Sequence, residues 1–480
     1  MDQNKTEFKP SLGLIDGTMI VAGSMIGSGI FIVSTDIARN VGSAGWLIVV
    51  WLITALMTIM AAVSYGELSG MYPKAGGQYV YLKKAFNPLA GFLYGWSSFT
   101  VIQTATIAAV GVAFSRFTAY LVPEVGENNI IFTFGQLNIS AAQLLAIALI
   151  LFLTYTNTRG IKGGKIIQNV FTTVKLLSLF GLIIAGFLFV KHSFWGDNWQ
   201  TGLNAMQLEK KDGSFVLHGN WLPIGGTVLI GAIAASMVGS LFSSDAWNNV
   251  TFIAGEIKNP KRNIGLSLFL GTLIVSLIYI SMNLMYLNAL SLDQIAYPEG
   301  DRVAVAASTA IFGNAGAIII AVMIMISTFG CNNGLILAGA RVYYTMAQDG
   351  LFFKQAAKLN KNAVPQWALW AQACVACILC LSGGYNDLLD MIAFVVVLFY
   401  VLTIIGIFVL RKREPNAERP YKAFAYPVLP ALYIILGIIF CVFLIIFKPE
   451  YTLWGLGIVL AGIPVYYITI ASGSKKMKTE

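Results

Sequence analysis

Charge is scarce in this sequence. Only 11% of its 480 residues are Asp, Glu, Lys or Arg, while 57% are hydrophobic. Soluble domains carry about 25% charged residues. With a mean hydropathy of +0.74, this composition excludes a soluble globular domain and points to a chain that crosses a membrane many times. Histidine is scarcer still. His192 and His218 both fall in the polar stretch from Lys191 to Pro223, where no further ligand completes a metal set, and they read as exposed loop residues. The five cysteines, Cys331, Cys374, Cys377, Cys380 and Cys441, all lie inside apolar runs. That argues against a structural disulfide. Cys374, Cys377 and Cys380 recur every three residues with no histidine near, so they read as lipid-facing or packing residues. No metal and no cofactor is expected.

Other absences narrow the function. There is no His-Glu-x-x-His, no phosphate loop and no cysteine–histidine constellation, so an enzyme is not expected. Gly163-Gly164-Lys165 is followed by Ile166 and reads as a turn. The few charges inside apolar runs do not repeat as the rings that line a channel pore. Before Ser11 there is no separate hydrophobic core with a cleavage site, so the first span is expected to stay as an anchor. No polar block is long enough for a domain of its own.

The rest of the chain is apolar runs. Twelve are long enough to be read as spans: 12–33, 43–64, 89–121, 140–156, 166–190, 224–255, 264–290, 313–347, 366–383, 388–410, 428–447 and 451–471. With the N-terminus set inside, most of the 31 Lys and Arg residues fall on inner segments, from Lys5 and Lys9 to Lys475, Lys476 and Lys478. By the positive-inside rule this gives a multi-pass protein with both termini cytoplasmic. The net charge of +9 is spread over every inner loop and calls for no nucleic acid.

The first span is interrupted. Gly23-Ser24-Met25-Ile26-Gly27-Ser28-Gly29 places three glycines and two serines at its centre. Glycine is a poor helix residue and lets the backbone open. In hydrocarbon an opened backbone is tolerated only inside protein or along a wet cavity. Its freed N–H groups favour an anion and its freed carbonyls a cation; a zwitterion such as an amino acid carries both. The competing reading is helix packing through a small-xxx-small pair, Gly23 and Gly27. The sixth span repeats the pattern, because its apolar run from Ile224 to Phe242 meets Ser243-Ser244-Asp245-Ala246-Trp247-Asn248-Asn249. Two interrupted spans at matching places in two groups of five point to inverted repeats with a site at the midplane. Lys175, some ten residues into the fifth span, is costly in a membrane and is a functional candidate; snorkelling to the surface is the alternative.

Several strings resemble the amino acid–polyamine–organocation (APC) superfamily. Glu67-Leu68 is followed by Pro73-Lys74-Ala75-Gly76-Gly77-Gln78-Tyr79-Val80-Tyr81, with Gln78 where many L-type members carry Glu. Ile167 to Leu177, Lys175 included, is similar to the fifth span of L-type amino acid transporters. Gly255-Glu256-Ile257-Lys258-Asn259-Pro260, Arg341-Val342-Tyr343-Tyr344 and Arg419-Pro420-Tyr421 are also in the family manner. The resemblance runs over nearly the whole chain.

It implies an all-α, LeuT-like membrane fold of twelve helices: a five-helix repeat over 1–191, an inverted one over 192–413, and two further helices over 414–480. Helices one and six would be broken. It implies an amino acid substrate, its carboxylate on the N–H groups of Gly27, Ser28 and Gly29, its ammonium on the carbonyls of Met25 and of Phe242 to Asp245. Phe242 would be the gate and Asn248 a pocket residue, with Ser243 beside them; Trp247 reads as packing. Asp245 departs from relatives. It would be a protonated acid, a partner for a cationic group, a coupling group or a vestibule aspartate. Lys175 would face the Gly23 region and Ser327 or Thr328, where sodium-coupled relatives of the fold hold a sodium ion. The expected function is sodium-independent transport of amino acids, neutral ones first, across the cell membrane by alternating access, as exchanger or proton symporter. A cationic amino acid or polyamine permease, a channel and a non-transporting sensor are the alternatives. No accessory chain is required, since the loop between spans three and four lacks cysteine.

Overall fold

The first apolar run does not form one helix in the computed structural model of this chain. Helix α1 (Leu14–Met25) stops at Ile26, whose ψ of 87° leaves the helical region. A 3-10 turn at Gly29–Phe31 follows, and α2 (Val33–Val41) resumes before ending on left-handed Gly42. The run therefore extends to Val41, beyond the limit of 33 read from hydropathy, because α2 is amphipathic and carries Asp36 and Arg39. The structure describes residues 10–134, 137–160, 162–211, 214–216, 218–382 and 385–476; Lys5, Lys9 and Lys478 lie outside them.

Caps set the next boundaries. The hydroxyl of Ser43 accepts from the Trp46 N–H at 3.3 Å and starts α3 (Ala44–Met71). The Gly76-Gly77 pair, both at positive φ, turns the chain into α4 (Gln78–Ala85). Asn87 caps α5 (Pro88–Ser97), with Pro88 in its first turn. A π turn at Ser98–Ile102 joins α5 to α6 (Gln103–Leu121). A hairpin of β1 (Ile130–Phe134) and β2 (Leu137–Ser140) leads to α7 (Ala141–Thr158), which begins with a Ser140–Gln143 capping box. Then come α8 (Lys162–Leu188) and α9 (Trp195–Gln200). In the polar stretch after α9, β3 (Met206–Leu208) pairs with β6 (Trp221–Pro223), and β4 (Lys210–Lys211) with β5 (Ser214–Phe215). These hairpins, confined to connections, are a small addition to the expected all-helical fold.

The second half opens with α10 (Gly226–Ser243). A break follows, then the single turn α11 (Asn249–Phe252) and a 3-10 turn at Ala254–Glu256. The chain continues through α12 (Pro260–Ala289), α13 (Leu292–Ala296), α14 (Val303–Phe312), α15 (Asn314–Gln348) and α16 (Gln366–Ser382). It ends with α17 (Tyr385–Arg413), α18 (Val428–Phe447) and α19 (Pro449–Lys476). Among the described residues, ten helices are long and apolar enough to cross a membrane. The first and ninth expected spans are shorter apolar helices, α1 and α16. Helix α14 was not anticipated: it is apolar but only ten residues long, and it packs on α15, α12 and α8.

Packing puts the two interrupted runs against each other. Helix α10 lies on α2, and α11 on α1. Helix α12 runs along both α1 and α3, while α15 touches α1, α6 and α8. The two breaks thus meet inside a ring of long helices.

Candidate functional site

The break in the first run frees carbonyls, and each acquires a donor from elsewhere. In a continuous helix the Gly23 carbonyl would accept from the Gly27 N–H. Here that N–H turns to the Met25 carbonyl at 2.8 Å. Lys175, 2% exposed on α8, takes the vacancy: its Nζ donates to the carbonyls of Gly23 at 2.9 Å and Ile26 at 2.8 Å. The hydroxyl of Ser327 on α15 also donates to the Ile26 carbonyl, at 3.4 Å. The thiol of Cys331 donates to the Ser24 carbonyl at 3.3 Å. Thr328 is turned the other way. Its hydroxyl bonds back to the Ile324 carbonyl of its own helix at 2.9 Å, so of the two α15 hydroxyls only Ser327 meets the break. Hydrogen bonds from a charged donor contribute about 1.5–3 kcal/mol each. Lys175 therefore joins α8 to the break with the polarity of a bound cation, and it does not snorkel.

The glycines of the break serve close approach. A Cβ on Gly27 would stand 3.2 Å from Cys331 Sγ. One on Gly29 would stand 1.9 Å from Ser243 Oγ and 2.9 Å from the Ser243 Cα. Gly29 thus lies directly against the second break. In this conformation bulk at Gly27 would strike α15 and bulk at Gly29 would strike Ser243. Ser28, between them, is fully buried.

At the second break Tyr279, from α12, ties both interruptions together. Its hydroxyl lies 3.0 Å from the Met25 carbonyl and 3.0 Å from the Ser243 carbonyl. The Met25 carbonyl, expected to await an ammonium, thus already faces two donors here. The Ser243 hydroxyl donates to the Gly239 carbonyl at 2.7 Å. Asp245 follows. Its Oδ1 accepts from the Tyr400 hydroxyl of α17 at 2.5 Å, and among the described residues no cationic side chain pairs with it. Two cavities of about 20 Å³, each with room for about one water, flank Asp245 and Tyr400. Phe242 and Trp247 line one, Asn248, Gln78 and Gln103 the other. Trp247 packs edge-on against Tyr65, with ring centres 4.8 Å apart.

Asn248 belongs to a longer chain of hydrogen bonds. Its Nδ2 donates to Gln78 Oε1 at 3.0 Å, Gln78 Nε2 donates to the Thr403 hydroxyl at 3.1 Å, and that hydroxyl donates to the Phe399 carbonyl at 2.7 Å. Gln78, first noted only as a motif residue, therefore connects the second break to α17. Gln103, at the end of the π turn, donates to the Leu335 carbonyl at 2.7 Å. Such turns frequently mark functional positions. Tyr279, Tyr400 and Gln103 carried no motif that singled them out. The one signal available was a polar atom inside a long apolar run.

The two ends of the bundle differ. At the end carrying Ser11, Glu67, 1% exposed, accepts from Arg411 at 2.9 and 2.6 Å and from the Ala423 N–H at 2.8 Å, with Arg419 at 3.2 Å. Arg341 pairs with Glu256 at 2.8 Å and Lys83 with Asp349 at 2.8 Å. At the other end a cavity of about 420 Å³ opens between α2, α10 and α17. Among the described residues no group of His, Cys, Asp and Glu could hold a metal ion. His192 sits by Phe194, and His218 by Tyr297.

Comparison with known proteins identifies a family. The sequence profile of a family described as amino acid permease matches residues 12–452. The mouse (Mus musculus) b(0,+)-type amino acid transporter 1 is 27% identical over 473 residues, covering 97% of this chain and 89% of that protein. The mouse large neutral amino acids transporter small subunit 2 is 29% identical over 470 residues, 96% of this chain and 81% of that protein. The mouse Asc-type amino acid transporter 1 is 27% identical, covering 98% and 83%. These relatives are transporters, which sets the enzyme reading aside.

Proposed function

The chain belongs to the amino acid permease family, and from that premise we propose that it is a sodium-independent secondary transporter of amino acids, neutral ones first. Transport proceeds by alternating access across the cell membrane, with both termini cytoplasmic. Twelve spans result if the interrupted first run and α16 are counted with the ten long helices. They divide into two inverted repeats over 1–191 and 192–413 and two further helices over 414–480. The substrate sits between the breaks, on Met25, Gly27, Ser28, Gly29, Phe242, Ser243, Asp245 and Asn248. Rearrangement must first release contacts such as those of Tyr279. No accessory chain is needed; the name of one relative as a small subunit describes that protein.

One observation carries the sodium independence. The Lys175 ammonium donates to the Gly23 and Ile26 carbonyls, and the Ser327 hydroxyl shares the second. Those are the oxygens a coordinated cation would use, and an ammonium supplies the charge from the protein itself. The test is uptake of labelled alanine or leucine into proteoliposomes without sodium, with counterflow. Saturable uptake is expected. Uptake that rises steeply with a sodium gradient overturns the reading. An imposed proton gradient then separates the symporter from the exchanger: a response lost in Lys175→Ala selects symport.

A second reading, transport of cationic amino acids, is favoured by Asp245, whose partner is a hydroxyl. An added ammonium or guanidinium would pair there. Competition by lysine or arginine that disappears in Asp245→Asn, while alanine uptake persists, supports it.

A further inference from the structure

The 420 Å³ cavity at the end opposite Ser11 falls within the ordinary range of ligand sites, about 300–1,000 Å³. It is lined by charges of both signs, and their pairing is unequal. Arg39 holds Asp301 at 2.7 Å, and its Nε donates to the Ala296 carbonyl at 2.7 Å. Lys448 holds both oxygens of Asp390 at 2.7 Å. Those two tight pairs are walls. Two other lining charges are held loosely. Among the described residues the Asp36 carboxylate has Arg39 alone, one turn along α2, at 3.4 Å. Lys210, on β4, has the Asn40 Oδ1 at 3.4 Å and the face of Phe215, 4.5 Å from its ring centre.

Asp36 and Lys210 do not form an ion pair, yet the Asp36 carboxylate acts on the Lys210 amine. Burial and the Lys448 ammonium pull the Lys210 amine below its usual pKa, and the Asp36 carboxylate opposes them. A third feature lies in the same wall. Ser236 on α10 lines the cavity, is 2% exposed, and its hydroxyl has no hydrogen-bond partner among the described residues. A buried polar atom without a partner is costly unless something occupies the space beside it. A loose carboxylate, a loose ammonium and an orphaned hydroxyl around one cavity match a small zwitterion: ammonium to Asp36, carboxylate to Lys210, a polar atom to Ser236.

We propose that this cavity is a second amino acid site, which receives the zwitterion before it reaches the breaks. The proposal deepens the transporter reading and rests on it for the substrate class. Asp36 lies on α2 and Ser236 on α10, the helices that lead to the two breaks, so a bound zwitterion touches both arms of the central site. The tight Arg39–Asp301 and Lys448–Asp390 pairs keep the walls in place while the loose pair exchanges partners with the ligand.

The test measures occupancy without requiring transport. Ser236→Cys is reacted with a membrane-impermeant methanethiosulfonate, using the wild type with its five cysteines as background. Millimolar L-alanine is expected to slow labelling several-fold, whereas propionate, which lacks the amine, and alaninol, which lacks the carboxylate, do not. Adding Lys210→Gln or Asp36→Asn to the cysteine variant is expected to abolish that protection and leave labelling without ligand unchanged. Protection that survives both substitutions comes from closure at the central breaks and overturns the proposal, as does equal protection by propionate or alaninol. A parallel uptake assay separates the two readings. With the second site real, Lys210→Gln raises the KM for uptake from that side about tenfold with little change in maximal rate. A protein that protects Ser236→Cys in a Lys210-dependent manner but moves no amino acid retains the second site and loses the transporter reading.

Discussion

The two breaks face each other and are finished in opposite ways. At the first, the protein supplies its own cation: Lys175 donates to the Gly23 and Ile26 carbonyls, with Ser327 and Cys331 alongside. At the second, Asp245 has a hydroxyl partner, Tyr400, and a water-sized cavity on either side. Exposed carbonyls deep in a membrane need donors at all times, so a permanent strut suits them. An acid whose side-chain partner is a hydroxyl and not a cation can exchange that partner for a proton or a ligand cation. Under the proposed function, the contrast separates a part that holds shape from a part that answers to cargo. Tyr279 links the two by reaching the Met25 and Ser243 carbonyls at 3.0 Å each.

Five substitutions break or sharpen that contrast. The largest effect is expected for Lys175→Ala. It removes two charge-assisted bonds of about 1.5–3 kcal/mol each and leaves buried carbonyls short of donors. Initial uptake rates in proteoliposomes should fall by more than about tenfold, since 1.4 kcal/mol is a factor of ten. If Lys175→Ala transports at the wild-type rate, the strut has no role.

Gly29→Ala comes next. Its Cβ would stand 1.9 Å from Ser243 Oγ, whereas that of Gly27→Ala meets Cys331 Sγ at 3.2 Å. Overpacking costs about 1–3 kcal/mol. Thermal unfolding in detergent should show a clear drop for Gly29→Ala and a smaller one for Gly27→Ala. The reverse order would mean that the breaks do not touch in the folded protein.

Tyr400→Phe tests the responsive side. Losing a bond to a charged acceptor costs about 1.5–3 kcal/mol, but the added ligand cation can replace it. Lysine or arginine should then compete more strongly against labelled alanine than in the wild type. Unchanged competition removes Asp245 from substrate choice.

Asn248→Ala is expected to be mildest. It cuts the first link of the chain through Gln78 and Thr403 to the Phe399 carbonyl. A net change of about 0.5–1.5 kcal/mol should appear in substrate KM more than in melting temperature. A larger loss of stability than of affinity would make the chain purely structural.

Much of this was legible in the residues. The interruptions at Gly23 to Gly29 and Ser243 to Asn249 stood out because polar and glycine residues inside apolar runs are costly without a reason. Lys175 stood out on the same ground. The end of α2, the short α14 and the brevity of α11 did not, because hydropathy measures composition and α2 is amphipathic. The role of Cys331 did not show either: a thiol inside an apolar run gives no sign of a carbonyl partner until the opposing helix is placed.

What the sequence by itself determined is therefore the class of molecule and where its backbone must open. Charge scarcity, twelve apolar runs and two polar interruptions follow from transfer energies that act residue by residue. Only the tertiary structure decided which groups complete those openings. Lys175 lies 152 positions from Gly23, Tyr279 lies 254 from Met25, and Tyr400 lies 155 from Asp245. A hydrogen bond acts over about 3 Å, so partners that distant along the chain are set by how α8, α12 and α17 pack around the breaks, which no local pattern encodes.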